Sequence, residues 1–161
     1  MLLNLWTRYL KKDYHFKRVN NMDTAEKITR KLTAMKKYIN FLRSHQKVSI
    51  EELKENYELC SAIERNFQLV IESTLDIGEI IISAEAFEKP EDYKSVIITL
   101  GNHNILPIEF AKEFALIAGF RNILVHLYED IDLEKLIEFL NNLDDFDKFS
   151  KYIAQYIKKM N

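Results

Sequence analysis

Four polar residues in a mostly apolar stretch carry the strongest chemical signal of the chain: Arg121, Asn122, His126 and Tyr128. On a continuous helix Arg121 and Tyr128 share one face, and Asn122 and His126 share a neighbouring face. Arginine offers a permanent fork of donors to a phosphate, and histidine exchanges a proton near neutral pH. The pattern therefore suits an anionic ligand.

The same residues also have structural interpretations. A histidine near a helix C-terminus often caps it, and Tyr128 could lie on the core with its hydroxyl in water. An Arg-x4-His match also arises by chance in chains of ordinary composition. The chemistry of the four residues alone therefore leaves a functional and a structural interpretation open.

Composition excludes several classes of protein and site. A length of 161 residues fits one domain, and only 3 glycines and 2 prolines favour long helices over a sandwich or barrel. The glycines are too far apart for a GxGxxG or phosphate-binding loop, and a single cysteine, Cys60, excludes a disulfide framework. We predict Cys60 to be a small core residue. No Glu-x-x-His or His-x-x-x-His pair is present, so no metal site is expected.

No sequence feature indicates a membrane or an export signal. The apolar runs are too short for a membrane-spanning helix, and we recognise no signal peptide at the N-terminus. The cytoplasm is therefore the predicted compartment, and no membrane partner is expected.

Charge is distributed unevenly along the chain. Residues 1–47 hold twelve Lys and Arg against three acids, whereas the remainder holds eleven bases and twenty-two acids. A basic arm on an acidic body indicates nucleic-acid contact. Pairing between the first helix and its neighbours would explain the asymmetry equally well.

Helical periodicity organises most of the chain. We interpret residues 1–21 as an N-terminal extension, or even as a segment upstream of a natural start at Met22, and residues 22–161 as one domain. Asp23 with Glu26 resembles a capping box at the start of a first helix. Its apolar stripe is Ala25, Ile28, Leu32, Met35, Ile39 and Leu42.

Four further helices are predicted. A second capping box at Ser49 opens a wide, central helix over residues 50–87, and a short helix over 91–101 ends near Gly101 as its cap. Another helix runs from Pro107 to residues 125–128, and Asp132 caps the last one. The expected fold is an all-α, up-and-down bundle of four to five helices.

The motif and its surroundings together resemble a known family. Arg121-Asn122-x-x-Val125-His126-x-Tyr128 resembles the Arg-x4-His-x-Tyr signature of HepT-like ribonucleases, a branch of the HEPN superfamily. The likeness extends over about residues 22–140. Residues 1–21 lie outside the family pattern, and Leu127 departs from it without removing a functional group. The further segments that carry the likeness are 64–72, 76–78, 93–101, 105–107 and 118–122.

The resemblance implies a specific function. Members are helical homodimers of HEPN type that cleave RNA internally without a metal or cofactor, and they act as toxins beside a minimal nucleotidyltransferase antitoxin. By position, Arg121 and His126 would be catalytic and Asn122 would support them. Tyr128 would be the site to which the antitoxin attaches AMP.

The chemistry of RNA cleavage agrees with a dimer. Attack of a 2′-OH on the adjacent phosphorus needs a base, an acid and a cation. One motif has a single histidine, so we hypothesise that a two-fold dimer combines two motifs in one cleft. The basic residues expected to follow the RNA backbone are Lys11, Lys12, Lys17, Arg18, Lys36 and Lys37.

Two other functions stay open from the sequence. A non-catalytic HEPN module could bind a nucleotide, or adapt a nucleotidyltransferase, through Arg121 and Asn122. A dimeric helical scaffold without a ligand is the plainest alternative.

Overall fold

A computed structural model describes the backbone of residues 2–125 and 132–160, and their side chains except those of 2–18, 122, 123 and 125. Within these ranges the chain forms helices and no strand, which confirms the all-α prediction. The eight helices are α1 Leu2–Ser44, α2 Ile50–Glu55, α3 Tyr57–Ala84, α4 Tyr93–Asn102, α5 Ile108–Phe114, α6 Ile117–Val125, α7 Leu133–Asn141 and α8 Asp144–Met160.

The first helix is longer than predicted. At 43 residues α1 spans about 65 Å and runs through position 23 without a boundary. The helix start predicted at Asp23 is therefore wrong: its carboxylate pairs with Lys27 at 2.7 Å, an i,i+4 contact that favours a continuous helix. The assignment of residues 1–21 as an extension of the domain stays a prediction.

Three predicted helices are each divided in two, which raises the helix count. The division at Asn56 arises because its side-chain oxygen accepts a hydrogen bond from the Leu59 amide at 3.0 Å and caps α3. At Leu116 the amide bonds the carbonyl three residues back, at 3.2 Å, and separates α5 from α6. Asn142 separates α7 from α8, since its side-chain amide donates to the Glu138 carbonyl at 3.0 Å.

The predicted caps at Ser49 and Asp132 are confirmed. Ser49 Oγ accepts from the Glu52 amide at 3.1 Å, and the Glu52 carboxylate accepts from the Ser49 amide at 2.8 Å. Asp132 accepts from the first turn of α7. Gly101 is not a cap, because α4 continues to Asn102; a Cβ at Gly101 would lie 2.6 Å from the Ala111 Cβ, so glycine there permits close approach of α4 and α5.

The core forms around α3, as its wide apolar face predicted. This helix contacts α1, α2, α4 and α6. Its fully buried apolar side chains are Ile63, Phe67, Val70, Ile71, Ile77 and Ile81. Burial of such side chains contributes about 1.5–3 kcal/mol each relative to exposure, so α3 fixes the positions of its neighbours. None of the helices described is both long and apolar enough to cross a membrane.

Candidate functional site at the junction of α4 and α6

The helix that carries the motif is anchored by one aromatic side chain. Phe120 is 2% exposed and lies between two rings, with its centroid 5.8 Å from that of Phe67 in an edge-on contact and 3.9 Å from that of Phe139 in a stacked one. Leu124, one turn later, is also buried. This packing determines the rotation of α6 and hence the direction in which the next residue projects.

Arg121 lies at the edge of this core, half-buried. Its guanidinium carbon lies 4.3 Å from the centroid of the Tyr93 ring, a cation–π contact. Tyr93 is the first residue of α4 and remains 39% exposed. The motif arginine is thus held against an aromatic ring at the surface of the bundle.

Arg121 is the member of the predicted site whose side chain the structure describes. Asn122 lies in α6, but its side chain is outside the described set. His126 and Tyr128 fall in 126–131, outside the described residues. The expected sharing of helix faces among these four residues therefore stays a prediction.

Among the residues that the structure describes, none covers one side of α6. A Cβ added to Gly119 would meet no atom of another described element within 4 Å, so packing among the described residues does not require this glycine. Leu116, just before α6, is 65% exposed. An exposed leucine and an exposed glycine thus lie three residues apart where the motif helix begins.

Some basic side chains of α1 form ion pairs with acidic residues of other helices. Lys31 pairs with Asp76 of α3. Arg43 contacts Asp144 at 3.1 Å and Asp147 at 2.5 Å, which ties α1 to α8. Ion pairing within the chain therefore accounts for part of the excess of basic residues in positions 1–47.

Two of the predicted RNA-contacting lysines, Lys36 and Lys37, are exposed on α1. The side chains of Lys11, Lys12, Lys17 and Arg18 are outside the described set. The role of all six residues in RNA binding stays a prediction.

Comparison with known proteins identifies the family. A family model described as ribonuclease HepT-like matches residues 35–153, which is well over half of the chain. The chain belongs to the HepT-like ribonuclease family. The resemblance seen in the sequence is thereby confirmed.

Two curated HepT proteins are related in sequence to this HepT-like chain. The tRNA nuclease HepT of Aphanizomenon flos-aquae is 28% identical over 131 residues, 81% of this chain and 89% of that protein. The mRNA nuclease HepT of Shewanella oneidensis is 23% identical over 99 residues, 61% of this chain and 74% of that protein.

A solved structure supports the HEPN type of bundle. The tri-AMPylated Shewanella oneidensis HEPN toxin, in complex with its MNT antitoxin, aligns with a TM-score of 0.71 and 22% identity. The alignment covers 80% of this chain and 96% of that one. This likeness shows the fold.

The only cysteine of this HepT-like chain is not an activated nucleophile. Burial, followed by the hydrogen bond to Glu64, raises the pKa of the Cys60 thiol to about 12. Its Sγ lies 3.2 Å from a Glu64 carboxylate oxygen. Cys60 is half-buried and keeps its proton, which is consistent with a packing role. Within the described ranges no cluster of three or more metal-ligand side chains occurs.

A cavity of about 700 Å³, which no sequence pattern predicted, lies at the C-terminal end of α4. The C-terminal ends of α3, α4 and α8 all border it. The His103 ring stacks on Phe87 with centroids 3.6 Å apart, and its Nε2 lies 2.8 Å from a Glu88 oxygen, a contact that lowers the pKa of Glu88. These residues come from separate helices and loops, so no local pattern could have grouped them.

Proposed function

We propose that this chain is an endoribonuclease toxin that cuts RNA without a metal ion, using Arg121 and His126 at the interface of a homodimer. The observation that carries the proposal is the family match over residues 35–153, which includes the motif-bearing helix α6. The nuclease names of the two curated relatives support it.

The chemistry follows from the side chains of the motif. The 2′-oxygen of a ribose attacks the adjacent phosphorus while a base takes its proton, and the 5′-oxygen leaves with a proton from an acid. His126 of one protomer serves as base and His126 of its partner as acid, since each chain supplies one motif histidine. Arg121 stabilises the negative charge that develops on the phosphoryl oxygens, and Asn122 supports the pair by hydrogen bonding.

The position of Arg121 at the surface of the bundle supports its part in this scheme. Its half-buried guanidinium rests on the ring of Tyr93, so a phosphate can approach it from solvent. The open side of α6 at Leu116 and Gly119 offers a second copy a surface beside the motif.

The first experiment measures cleavage of a labelled RNA pool in EDTA by wild type, His126→Ala and Arg121→Ala. His103→Ala is the matched control, because His103 lies at the opposite end of α4 from Tyr93. We expect cutting by wild type and the control, none by His126→Ala, and a residual rate in Arg121→Ala that is far below that of wild type. Absence of cutting by unmodified, dimeric wild type would instead favour a nucleotide-binding or adaptor module.

We further propose that a minimal nucleotidyltransferase antitoxin silences the enzyme by attaching AMP to Tyr128. The AMPylated HEPN toxin that shares this fold, solved with its MNT antitoxin, supports the proposal. Each AMP adds bulk and a negative phosphate, which would repel RNA from the cleft. Incubation with the antitoxin and ATP should add AMP mass to wild type and not to Tyr128→Phe; equal addition to both would place the modification elsewhere.

The exposed lysines of α1 are proposed to bind the RNA backbone. Each phosphate contact on single-stranded RNA changes the logarithmic salt slope of affinity by about 0.7. Lys36→Ala and Lys37→Ala should therefore each flatten that slope by about this amount. Lys148→Ala is the control, since Lys148 is paired with Asp145 at 2.8 Å. An unchanged slope in both lysine variants would remove these residues from the binding surface.

A further inference from the structure

The ring beneath Arg121 belongs to no part of the family motif. Tyr93 lies at the start of α4, far from Arg121 in the sequence, and its ring centroid is 4.3 Å from the guanidinium carbon. A tyrosine that is 39% exposed is not needed to fill the core. The contact therefore calls for an explanation beyond packing.

Both members of the contact are held by rigid elements. Asp92 closes a capping box with Ser95, accepting from its amide at 2.7 Å, and this determines where α4 begins. The helix is then anchored by its buried residues Val96, Ile97 and Leu100, while Phe120 anchors α6. The ring and the guanidinium are thus brought together by two helices that both pack against α3.

An aromatic ring holds an arginine differently from a carboxylate. A carboxylate would occupy two of the five N–H donors and offset the charge, whereas a ring face attracts the cation and can leave its N–H fork available. An arginine that must bind a phosphate benefits from a partner of this kind. The ring also limits the conformations of a long side chain before the substrate arrives.

We propose that Tyr93 is a positioning residue for Arg121, holding the guanidinium so that its donors face the scissile phosphate. This inference rests on the proposed function, since it assigns Tyr93 a part in RNA cleavage. Tyr93 acts through Arg121 and needs no contact of its own with the reacting atoms. The ring matters in this role, and the hydroxyl does not.

The test compares two substitutions that separate the ring from the hydroxyl. Tyr93→Leu removes the ring and should lower kcat by about 5- to 30-fold, the range expected for a partly buried cation–π contact. KM should change by less than about 2-fold, because the general phosphate contacts remain. Tyr93→Phe keeps the ring and should stay within about 2-fold of wild type.

Tyr57→Leu is a matched control, because Tyr57 is also the first residue of a helix and is 82% exposed. It should leave kcat unchanged. Tyr93→Gln serves as a second variant without a ring, and far-ultraviolet circular dichroism checks the folding of each protein. A loss of kcat in Tyr93→Phe equal to that in Tyr93→Leu would overturn the role of the ring.

A double-substitution cycle decides whether Tyr93 acts through Arg121. In an Arg121→Ala background, Tyr93→Leu should lower the remaining rate by less than about 2-fold. Independent, multiplicative losses would overturn the positioning role while leaving Arg121 in the mechanism. Cleavage that does not depend on Arg121 would instead refute the proposed function, so the two failures are distinguishable.

Discussion

The substitution Gly78→Ala tests how tightly α3 packs against α4, the helix that begins with Tyr93. Gly78 is buried in α3, and a Cβ there would lie 2.5 Å from Val96 Cγ1 of α4. Carbon atoms pack without strain at about 3.5–4.0 Å. With Gly78→Ala, α4 must therefore move by about 1 Å or Val96 must leave its preferred rotamer, which a β-branched side chain in a helix resists.

The expected cost of Gly78→Ala follows from two opposing effects. Overpacking costs about 1–3 kcal/mol, and the better helix propensity of alanine offsets about 1 kcal/mol of it. The substitution should lower the free energy of unfolding by about 1 kcal/mol. Val96→Ala removes the obstructing methyl groups, so in that background Gly78→Ala should raise the free energy of unfolding by up to about 1 kcal/mol.

The assay is urea unfolding followed by circular dichroism for wild type, the two single variants and the double variant. All four are measured at one protein concentration, because a dimer couples stability to concentration. The sign of the Gly78→Ala effect should reverse between the two backgrounds. The same effect in both would refute the argument that Val96 is what excludes a side chain at position 78.

Three further predictions concern a cap, a thiol and a carboxylate. Ser49→Ala should lower the free energy of unfolding by about 1 kcal/mol in a urea titration, because it removes the side chain that caps α2. Ser49→Asp keeps a capping oxygen and should not lower it. An alanine variant as stable as wild type would contradict the role of the cap. Cys60, whose thiol pKa is raised to about 12, should react slowly with a thiolate-directed reagent at about pH 8 and faster in Glu64→Gln. Equal rates would show that Glu64 does not keep the thiol protonated. The Asp92 carboxylate accepts a hydrogen bond from the Ser95 amide, which lowers the pKa of Asp92. The stability that this bond gives the folded protein is therefore present above the ordinary aspartate pKa and is lost as pH falls through the lowered value. The stability difference between wild type and Asp92→Ala should therefore shrink on going from about pH 6 to about pH 2.5, and a constant difference would count against this linkage.

The periodicity of apolar residues was sufficient to predict the bundle but not its interruptions. Apolar residues that repeat on one helical face predicted α1, α3 and α8. Such a stripe is buried whatever the exact positions of the neighbouring helices. The divisions at Asn56, Leu116 and Asn142 depend on single hydrogen bonds that compete with the helix. Such competition is decided by how neighbouring helices pack, which local sequence does not record.

The candidate site was predictable to the extent that it lies in one segment. Arg121 stood out because a polar group in an apolar helix is conspicuous on its own. Tyr93 did not, since its importance arises from a contact between two helices that are distant in the chain. Gly101 shows the same limit: a glycine near a helix end resembles a cap until the approach of Ala111 is seen.

The direction of α4 makes the two ends of this helix electrically unlike. Its N-terminus, with the partial positive charge of a helix start, lies at the Tyr93–Arg121 contact; its C-terminus lies about 15 Å away, at the cavity where α3 and α8 also end. Glu85 and Lys159 border the cavity at that second end, and Asp92 caps the first. The partial charges of the helix by themselves make the electrostatic potential more positive at the Arg121 end than at the cavity end. The arrangement of helix ends would therefore bias a strand of RNA toward Arg121 before any specific contact forms, and this bias should weaken as added salt shortens the Debye length.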